Sequence, residues 1–474
     1  MEKYDVIVVG AGPSGYMCAY ELYNLNPSLK VLLIDKGRTV LQRYCPVLDH
    51  KCERCPLNKE GVPGCYPSCS MTCGFGGAGA FSDGKFNITT EFGGWLNEFV
   101  SDKELLELIN YADQINLKFG ATEVITDPYT PKIREIERKA VAAGLKLLRA
   151  KVRHLGTEEN LKILHRIFEY LDDKIEIRHM TKLADLIVEN NKIQGIVTTQ
   201  GEKIYGDNVV LGFGRDGAIF LSELLEKYGT KMINNRVDIG VRVETSNVVM
   251  EEINEHLYEG KFVYYTSNGS KVRTFCSNPS GHVVLENDHH VVLANGHSYM
   301  DAKLGSENTN FALLVSHKFS EPFEDPNQFA FSVSKLANQL SCGSVIVQRY
   351  GDIKKQRRST DKRIKEGFVT PTLKEAVPGD LSLCLSYKTM SSLIEMIEAL
   401  DKVTPGIAND DTLFYGVEAK FYSARADVKN NLEIKNIQNL YVVGDGAGIT
   451  RGLAQASASG IYVARDIVNK IKNA

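Results

Sequence analysis

Residues 4–15 read Tyr-Asp-Val-Ile-Val-Val-Gly-Ala-Gly-Pro-Ser-Gly, and no other stretch of this 474-residue chain leaves it so few folds to choose from. Residues 5–9 form a short apolar run rich in β-branched side chains, the pattern of a strand buried on both faces. Gly10, Gly12 and Gly15 follow as G-x-G-x-x-G, and residues 16–25 carry helical spacing. In such a strand–turn–helix the first glycine permits the tight turn and the second lets backbone approach a pyrophosphate. The third lets helix pack on strand. The pyrophosphate then sits at the helix amino terminus, where free N–H groups and the dipole favour negative charge. A lone motif would say little. Here residues 31–35 (Val-Leu-Leu-Ile-Asp) add a second strand that ends in an acid twenty residues after Gly15. An acid there accepts hydrogen bonds from ribose hydroxyls and disfavours a 2′-phosphate.

The other end of the chain identifies the dinucleotide. Residues 439–448 read Asn-Leu-Tyr-Val-Val-Gly-Asp-Gly-Ala-Gly, followed by an alanine-rich helix over 452–467. This resembles the second flavin motif of the two-dinucleotide-binding-domain flavoproteins. The resemblance implies that Asp445 holds the ribityl chain and that the following helix points its amino terminus at the isoalloxazine. Two motifs at opposite termini, in that order, imply FAD. A third glycine run, Gly212, Gly214 and Gly217 within Asn-Val-Val-Leu-Gly-Phe-Gly-Arg-Asp-Gly, has the same spacing. No strand ending in an acid follows it, and strand-like stretches at 174–180, 182–189 and 192–199 precede it. It is read as the return of the chain beneath FAD, not as a separate nicotinamide domain.

Six of the ten cysteines fall between the two motifs: Cys45, Cys52, Cys55, Cys65, Cys69 and Cys73. Residues 36–87 show little periodicity and are broken by Pro46, Pro56, Pro63 and Pro67. A structureless stretch this long in a compact domain is usually functional or cross-linked. Cys52-x-x-Cys55 is a chelating pair, Cys45 and Cys55 each precede proline, and Cys65, Cys69 and Cys73 recur every four residues. Three readings stand open. A 4Fe–4S cluster takes four thiolates, structural zinc takes four in tetrahedral geometry, and a redox-active disulfide takes a pair. Cys45, Cys52, Cys55 and Cys69 are the preferred metal ligands, with Cys65 and Cys73 as alternates. Cys18, Cys276, Cys342 and Cys384 read as packing.

The segment Gly74-Phe-Gly-Gly-Ala-Gly-Ala-Phe-Ser-Asp-Gly-Lys-Phe86 closes the cysteine run. Its small residues would let backbone lie against a flat ring system. It resembles the Gly-Ala-Gly-Ser/Ala-Phe/Tyr-Ser-Asp-Gly-Lys signature of a widespread family of predicted FAD-dependent dehydrogenases. The resemblance covers both termini, this loop and a stretch from Thr404-Pro-Gly to Tyr422-Ser, most of the chain's length. The extra cysteines mark a subgroup, with expanded spacing near Cys65. It implies an α/β fold: a discontinuous Rossmann-like FAD-binding domain with an inserted α+β substrate domain and a helical insertion. The expected parts are 1–90, including the cysteine loop, the helical insertion 91–170, then 171–227, the substrate domain 228–405, and 406–474. The residues expected at the cofactor are Gly10, Gly12, Pro13, Ser14, Gly15, Asp35, Lys36, Gly76, Gly77, Ala78, Gly79, Gly214, Gly444, Asp445, Gly446, Gly452 and Leu453.

Catalytic candidates follow from position. Asp83 and Lys85 adjoin the expected flavin edge, where a cation would stabilise reduced, anionic flavin. Arg273 and His282 flank Phe-Cys-Ser-Asn-Pro-Ser-Gly, and Arg451 precedes the flavin helix. His289-His290 and Arg357-Arg358 read as exposed turns. The expected activity is that of an FAD-dependent oxidoreductase reducing a small organic substrate, such as one with an activated C=C bond. A cysteine-held iron–sulfur cluster would relay electrons from a ferredoxin-like or NAD(P)H donor. The rival readings are a thiol–disulfide reductase using Cys65, Cys69 or Cys73, a zinc-stapled flavoprotein, and an FAD-dependent oxidase. A net charge of -3 gives no reason to expect nucleic acid, and no apolar run is long enough to span a bilayer. The first residues, Met-Glu-Lys-Tyr-Asp, lead at once into a strand, so a cytoplasmic protein without a secretory leader is expected.

Overall fold

The computed structural model describes residues 3–46, 51–52, 65–66, 68–82, 84–257, 260–288, 291–298, 302–323 and 325–473. They divide into two compact units: Met1–Thr126, Ala150–Ile233 and Ser423–Ala474 form one, Asp127–Arg149 and Asn234–Tyr422 the other.

The first unit is built on a parallel sheet. Strand Lys3–Val9 pairs with Val31–Ile34 on one side (Val6↔Val31 to Val9↔Ile34) and with Lys203–Leu211 on the other (Val6↔Asn208 to Val9↔Leu211). Glu176–Arg178 extends the sheet beyond Val31–Ile34, and Leu440–Val442 beyond Lys203–Leu211, both parallel. The antiparallel hairpin Leu183–Glu189 with Lys192–Thr198 attaches to the first half of Lys203–Leu211. Val6, Ile7, Val8, Leu32 and Leu33 are fully buried, each contributing about 1.5–3 kcal/mol of transfer free energy. That burial on both faces is why these strands read as unbroken apolar runs. The third glycine run therefore ends a strand of this same sheet.

Two helices cover one face. Pro13–Leu25 packs against the last helix, Leu453–Lys472, and they cross closely. A Cβ on Gly460 would lie 1.9 Å from the Ser14 carbonyl oxygen. Glu21, buried in this pair, accepts from Tyr111 Oη at 2.7 Å and Arg465 Nε at 2.7 Å.

The second unit is an eight-stranded, mainly antiparallel sheet. Its central strand Val237–Ser246 alternates: Val237, Ile239, Val241 and Val243 enter an apolar core with Leu393 and Ile397 of helix Tyr387–Asp401. The intervening positions carry buried charge. Arg242 lies 2.8 Å from Glu418, Asp238 accepts from Arg273 at 2.5 Å, and Glu244 accepts from Tyr415 at 2.5 Å and Thr372 at 2.6 Å. This unit spans 234–422 and also takes 127–149, so the stretch 91–170 is divided between the units. That stretch holds helices Asp102–Lys118, Pro131–Ala142 and Thr157–Asp172, and also strands Leu145–Leu148 and Lys151–His154. Leu145–Leu148 forms the edge of the large sheet, paired with Lys261–Tyr265. Four residues with period-two burial are too few to stand out beside two long helices.

Candidate functional site

The carboxyl ends of the parallel strands open into a cavity of about 600 Å³ that lies entirely within the first unit. Its size is that of a small-molecule or cofactor pocket, and its position is the crevice where open α/β sheets bind ligands. Val9 and Gly10, Asp35 and Lys36, Gly212 to Gly217, and Asp445 line it from successive strand ends. Gly77 to Gly79 and Ser82 contribute from the glycine-rich loop, and Arg451 to Leu453 from the start of the last helix.

Two groups of glycine separate what the fold needs from what a ligand needs. A Cβ on Gly15 would lie 1.7 Å from the Gly10 carbonyl oxygen, and one on Gly10 2.5 Å from that of Gly212. These two are required by packing. At Gly214 a Cβ would meet nothing within 4 Å, and at Gly12 only the Gly77 Cα at 4.0 Å. Both line the cavity with ordinary backbone angles, φ -79° and -74°. Among the described residues nothing else lies within 4 Å of these positions, which fits a dinucleotide backbone passing close to the main chain.

The helix ends fit an anion. Pro13–Leu25 starts at Gly12 and Leu453–Lys472 at Gly452, neither with a side-chain cap, and both starts line the cavity. Helix Asp102–Lys118, away from the cavity, is capped by Ser101, whose hydroxyl accepts from Glu104 N at 3.2 Å. In the first helix Pro13 has no N–H and Gly15 N donates to Gly12 O at 2.9 Å, so Ser14 N and the first-turn amides of the last helix are the ones left for phosphate. At one end of the cavity stand Asp35, Lys36 and Asp216, with Lys36 paired to Asp216. At the other, Leu453 approaches Gly79, where a Cβ would lie 2.5 Å from Leu453 Cδ2. Asp445 accepts from Thr450 Oγ1 at 2.7 Å.

Asp35 does more than face the cavity. Its Oδ2 accepts from Ala11 N at 2.8 Å, and its Oδ1 from Gly37 N at 2.7 Å and Gly74 N at 2.9 Å. Three of roughly four lone-pair sites are thus taken by backbone, leaving about one for a ribose hydroxyl.

The glycine-rich loop is held from below by a residue that sequence reasoning missed. Arg43, 5% exposed, donates from Nε to Ser70 O (2.8 Å), from Nη1 to Phe75 O (2.6 Å), and from Nη2 to Met71 O (3.2 Å) and Gly77 O (2.8 Å). Its guanidinium carbon sits 4.9 Å from the centre of the Phe81 ring. Burial pushes its pKa down to about 10, with Asp35, Cys73 and Cys69 pulling back, so it stays cationic at neutral pH.

Among the described residues no three His, Cys, Asp or Glu side chains form a donor group, and Cys45, Cys52, Cys69 and Cys73 are free thiols. Cys55 lies outside the described residues. Of the expected ligand set only Cys45, Cys52 and Cys69 are described, and they form no metal-binding group. Residues 69–73 form a single turn, with Cys73 N donating to Cys69 O at 2.9 Å. Cys73 lines the cavity beside Lys36 and Asp216, and its thiol donates to Asp216 at 3.4 Å. Burial pushes this thiol up to about 11, Lys36 acting in the opposite direction. That is the reverse of the lowered pKa thiol exchange requires.

Of the residues expected at the cofactor, Gly10, Gly12, Pro13, Ser14, Asp35, Lys36, Gly77, Ala78, Gly79, Gly214, Asp445, Gly452 and Leu453 line the cavity. Gly15, Gly76, Gly444 and Gly446 stand behind it, where side chains would collide with neighbouring atoms at 2.7 Å or less. Lys85 lies on strand Lys85–Ile88, paired with Lys151–His154, and is not among the lining residues. Asp83 lies outside the described residues. His282 belongs to the second unit, where its Nε2 is 2.9 Å from Leu304 O. Thr181, Lys182, Phe213 and Phe220 line the cavity without any sequence signal beyond their place after a strand end.

Residues 236–421 match the family described as FAD-dependent protein, C-terminal domain-like, which coincides closely with the run Asn234–Tyr422 of the second unit. An uncharacterised protein of Clostridium beijerinckii (strain ATCC 51743 / NCIMB 8052) is 27% identical over 488 residues, covering 99% of this chain and 81% of the relative. Among solved structures, the chain is similar to L-proline dehydrogenase from P. horikoshii (TM-score 0.39, 12% identity, 99% of this chain and 94% of that one). It is also similar to glycine oxidase from Bacillus cereus ATCC 14579 (0.36, 12%, 98% and 95%) and to the flavin-dependent brominase Bmp2 (0.38, 12%, 100% and 80%). Among the described residues no helix is long and apolar enough to cross a membrane.

Proposed function

We infer that this chain, an FAD-dependent oxidoreductase, is a reductase of a small organic acceptor and takes its electrons from a carrier that docks and leaves. The observation that carries this is the shared cavity. The glycine run 212–217 ends a strand of the FAD sheet and lines the same cavity as Gly12 and Asp35. The one feature that suggested a resident nicotinamide domain is therefore used by FAD. In this reading Asp35 holds the adenosine ribose, the amides at Gly12 and Gly214 hold the pyrophosphate, and Asp445 and the start of the last helix hold the ribityl chain and flavin. When bound, the flavin supplies hydride or single-electron transfer. The protein supplies orientation and, at the uncapped helix starts, a fixed positive potential. An enzyme fed by an external carrier works reductively, and an activated C=C bond is the acceptor class proposed. The free and raised Cys73 thiol argues against disulfide exchange there, and no cysteine-held metal enters this reading.

Gly12→Ala and Gly214→Ala test the site. Both methyl groups enter empty space in the protein, so both variants should melt like the wild type yet lose FAD at least about tenfold more readily. Unchanged FAD affinity in both would remove the dinucleotide from this cavity. For the reaction, flavin reduced anaerobically by dithionite-reduced methyl viologen should be reoxidised by α,β-unsaturated carbonyl compounds. Reoxidation by air alone would make the protein an oxidase.

A further inference from the structure

Between Arg349 and Glu366 the chain carries eight Lys or Arg and three Asp or Glu, in a protein whose net charge is -3. A charge run of this kind is ordinarily a solvated face. Here it is organised around a buried acid. The Asp352 side chain is fully buried and accepts from Arg357 Nε at 2.7 Å, Arg363 Nε at 3.0 Å and Ser359 Oγ at 2.8 Å, with Arg349 at 3.9 Å. The backbone of Arg357 is fixed at both ends: its N–H donates to Asp352 O at 3.1 Å, and its carbonyl accepts from Gln348 Nε2 at 2.9 Å.

A buried carboxylate is costly unless paired, and a merely solvated face has no need of one. Its effect is to stiffen the arginines. Arg357 engages Asp352 through Nε, which leaves its two Nη groups facing outward on a side chain still 47% exposed. Arg358 lies beside it with only long contacts, 3.5 Å to Ser359 O and 3.4 Å to Pro378 O. Lys362, 83% exposed, Lys365 and the exposed ring of Phe368 complete the patch. Asp410 and Asp411 hold Lys354, Lys355 and Arg349 at one side, so they do not neutralise the rest. Preordered guanidinium groups are a recurrent component of interface hot spots. Fixed positive charge on an otherwise slightly acidic protein steers an acidic surface.

We propose that the patch formed by Arg357, Arg358, Lys362, Lys365 and Phe368 docks the acidic face of a small electron-carrier protein. The identity of that partner rests on the carrier-fed reading of the function.

The test uses the flavin-loaded full chain and a purified, oxidised bacterial ferredoxin as probe, with binding followed by fluorescence anisotropy at 25 and 300 mM NaCl. Arg358→Glu/Lys362→Glu/Lys365→Glu leaves the Asp352 pairs in place. It should weaken binding about tenfold or more at low salt, and the wild-type affinity should fall with salt. Lys103→Glu/Lys203→Glu/Lys472→Glu, with the same net charge, should bind within about twofold of wild type. The alanine version of the patch variant guards against misfolding and should lie between. Equal weakening in both glutamate variants, or none in the patch variant, overturns the proposal. So does a single-stranded 20-mer DNA whose binding needs the patch while ferredoxin binding does not. Reduction by methyl viologen bypasses docking, so the patch variant should reoxidise with organic acceptors as wild type does. Ferredoxin binding at the patch without acceptor reduction would defeat only the functional reading, and acceptor reduction without binding only the docking.

Discussion

Replacing Arg43 by methionine keeps much of the side-chain volume and removes all four of its hydrogen bonds to the backbone. Four carbonyl oxygens, those of Ser70, Met71, Phe75 and Gly77, lose their partner at once. Hydrogen bonds to a charged group contribute about 1.5–3 kcal/mol each, so four set an upper bound of about 6–12 kcal/mol. The bonds to Met71 and Gly77 are only partly buried, and water can replace the donor there. Those to Ser70 and Phe75 are fully buried, which leaves about 3–6 kcal/mol that nothing recovers. Urea unfolding of the flavin-loaded protein should show this loss. FAD titration of the apoprotein should show at least about tenfold weaker binding, because the loop that supplies Gly77 to Gly79 must then be ordered by the ligand. Lysine has three donors for four acceptors and should fall between. A methionine variant within about 1 kcal/mol of wild type, with unchanged FAD affinity, would refute the account of Arg43 as the support of this wall.

Two further outcomes follow from particular contacts. Cys73 has its pKa raised from 9.0 to about 11 by burial. Its protonated form therefore stabilises the fold below pH ~9, and that contribution, about 2–3 kcal/mol, is lost as pH rises through ~11. Urea midpoints should fall more steeply between pH 9 and 11 in wild type than in Cys73→Ser, and parallel curves would remove Cys73 from the cause. Gly460→Ala places a methyl 1.9 Å from the Ser14 carbonyl oxygen. It should push the two packed helices apart at a cost of about 1–3 kcal/mol, with FAD weakened too because both helix starts line the cavity. An unaltered melting temperature would contradict the close crossing.

The parallel sheet was legible because strands buried on both faces leave continuous apolar runs, and each ended in a glycine or an acid at the crevice. The runs 5–9 and 31–35 were found that way and form strands Lys3–Val9 and Val31–Ile34, whereas Leu440–Val442 was found through its resemblance to a flavin motif. The glycine run 212–217 follows a strand of the same sheet, as read. What stayed hidden depends on contacts distant in sequence. Arg43 is a single arginine in an aperiodic loop, and its four acceptors lie 27 to 34 residues on. Spacing alone also does not show that Cys73 lies in the cavity wall, beside Lys36 and Asp216. The Asp352 cluster read as an exposed turn at Arg357-Arg358 because nothing in the string marks the acid five residues earlier as buried.

Asp35 gives the cavity a thermodynamic link that its role as a ribose acceptor would not suggest. One carboxylate joins the turn after the first strand, through Ala11, to the end of the cysteine segment, through Gly74. A ligand that draws on the same oxygens must alter the strength of both backbone bonds. Coupling of this kind is reciprocal in free energy. Whatever displaces the 69–74 turn changes affinity for the dinucleotide by the same factor that the dinucleotide changes the stability of the turn. A thiol reagent acting on that turn would thus serve as a gauge of cofactor occupancy, even where it never touches the cofactor.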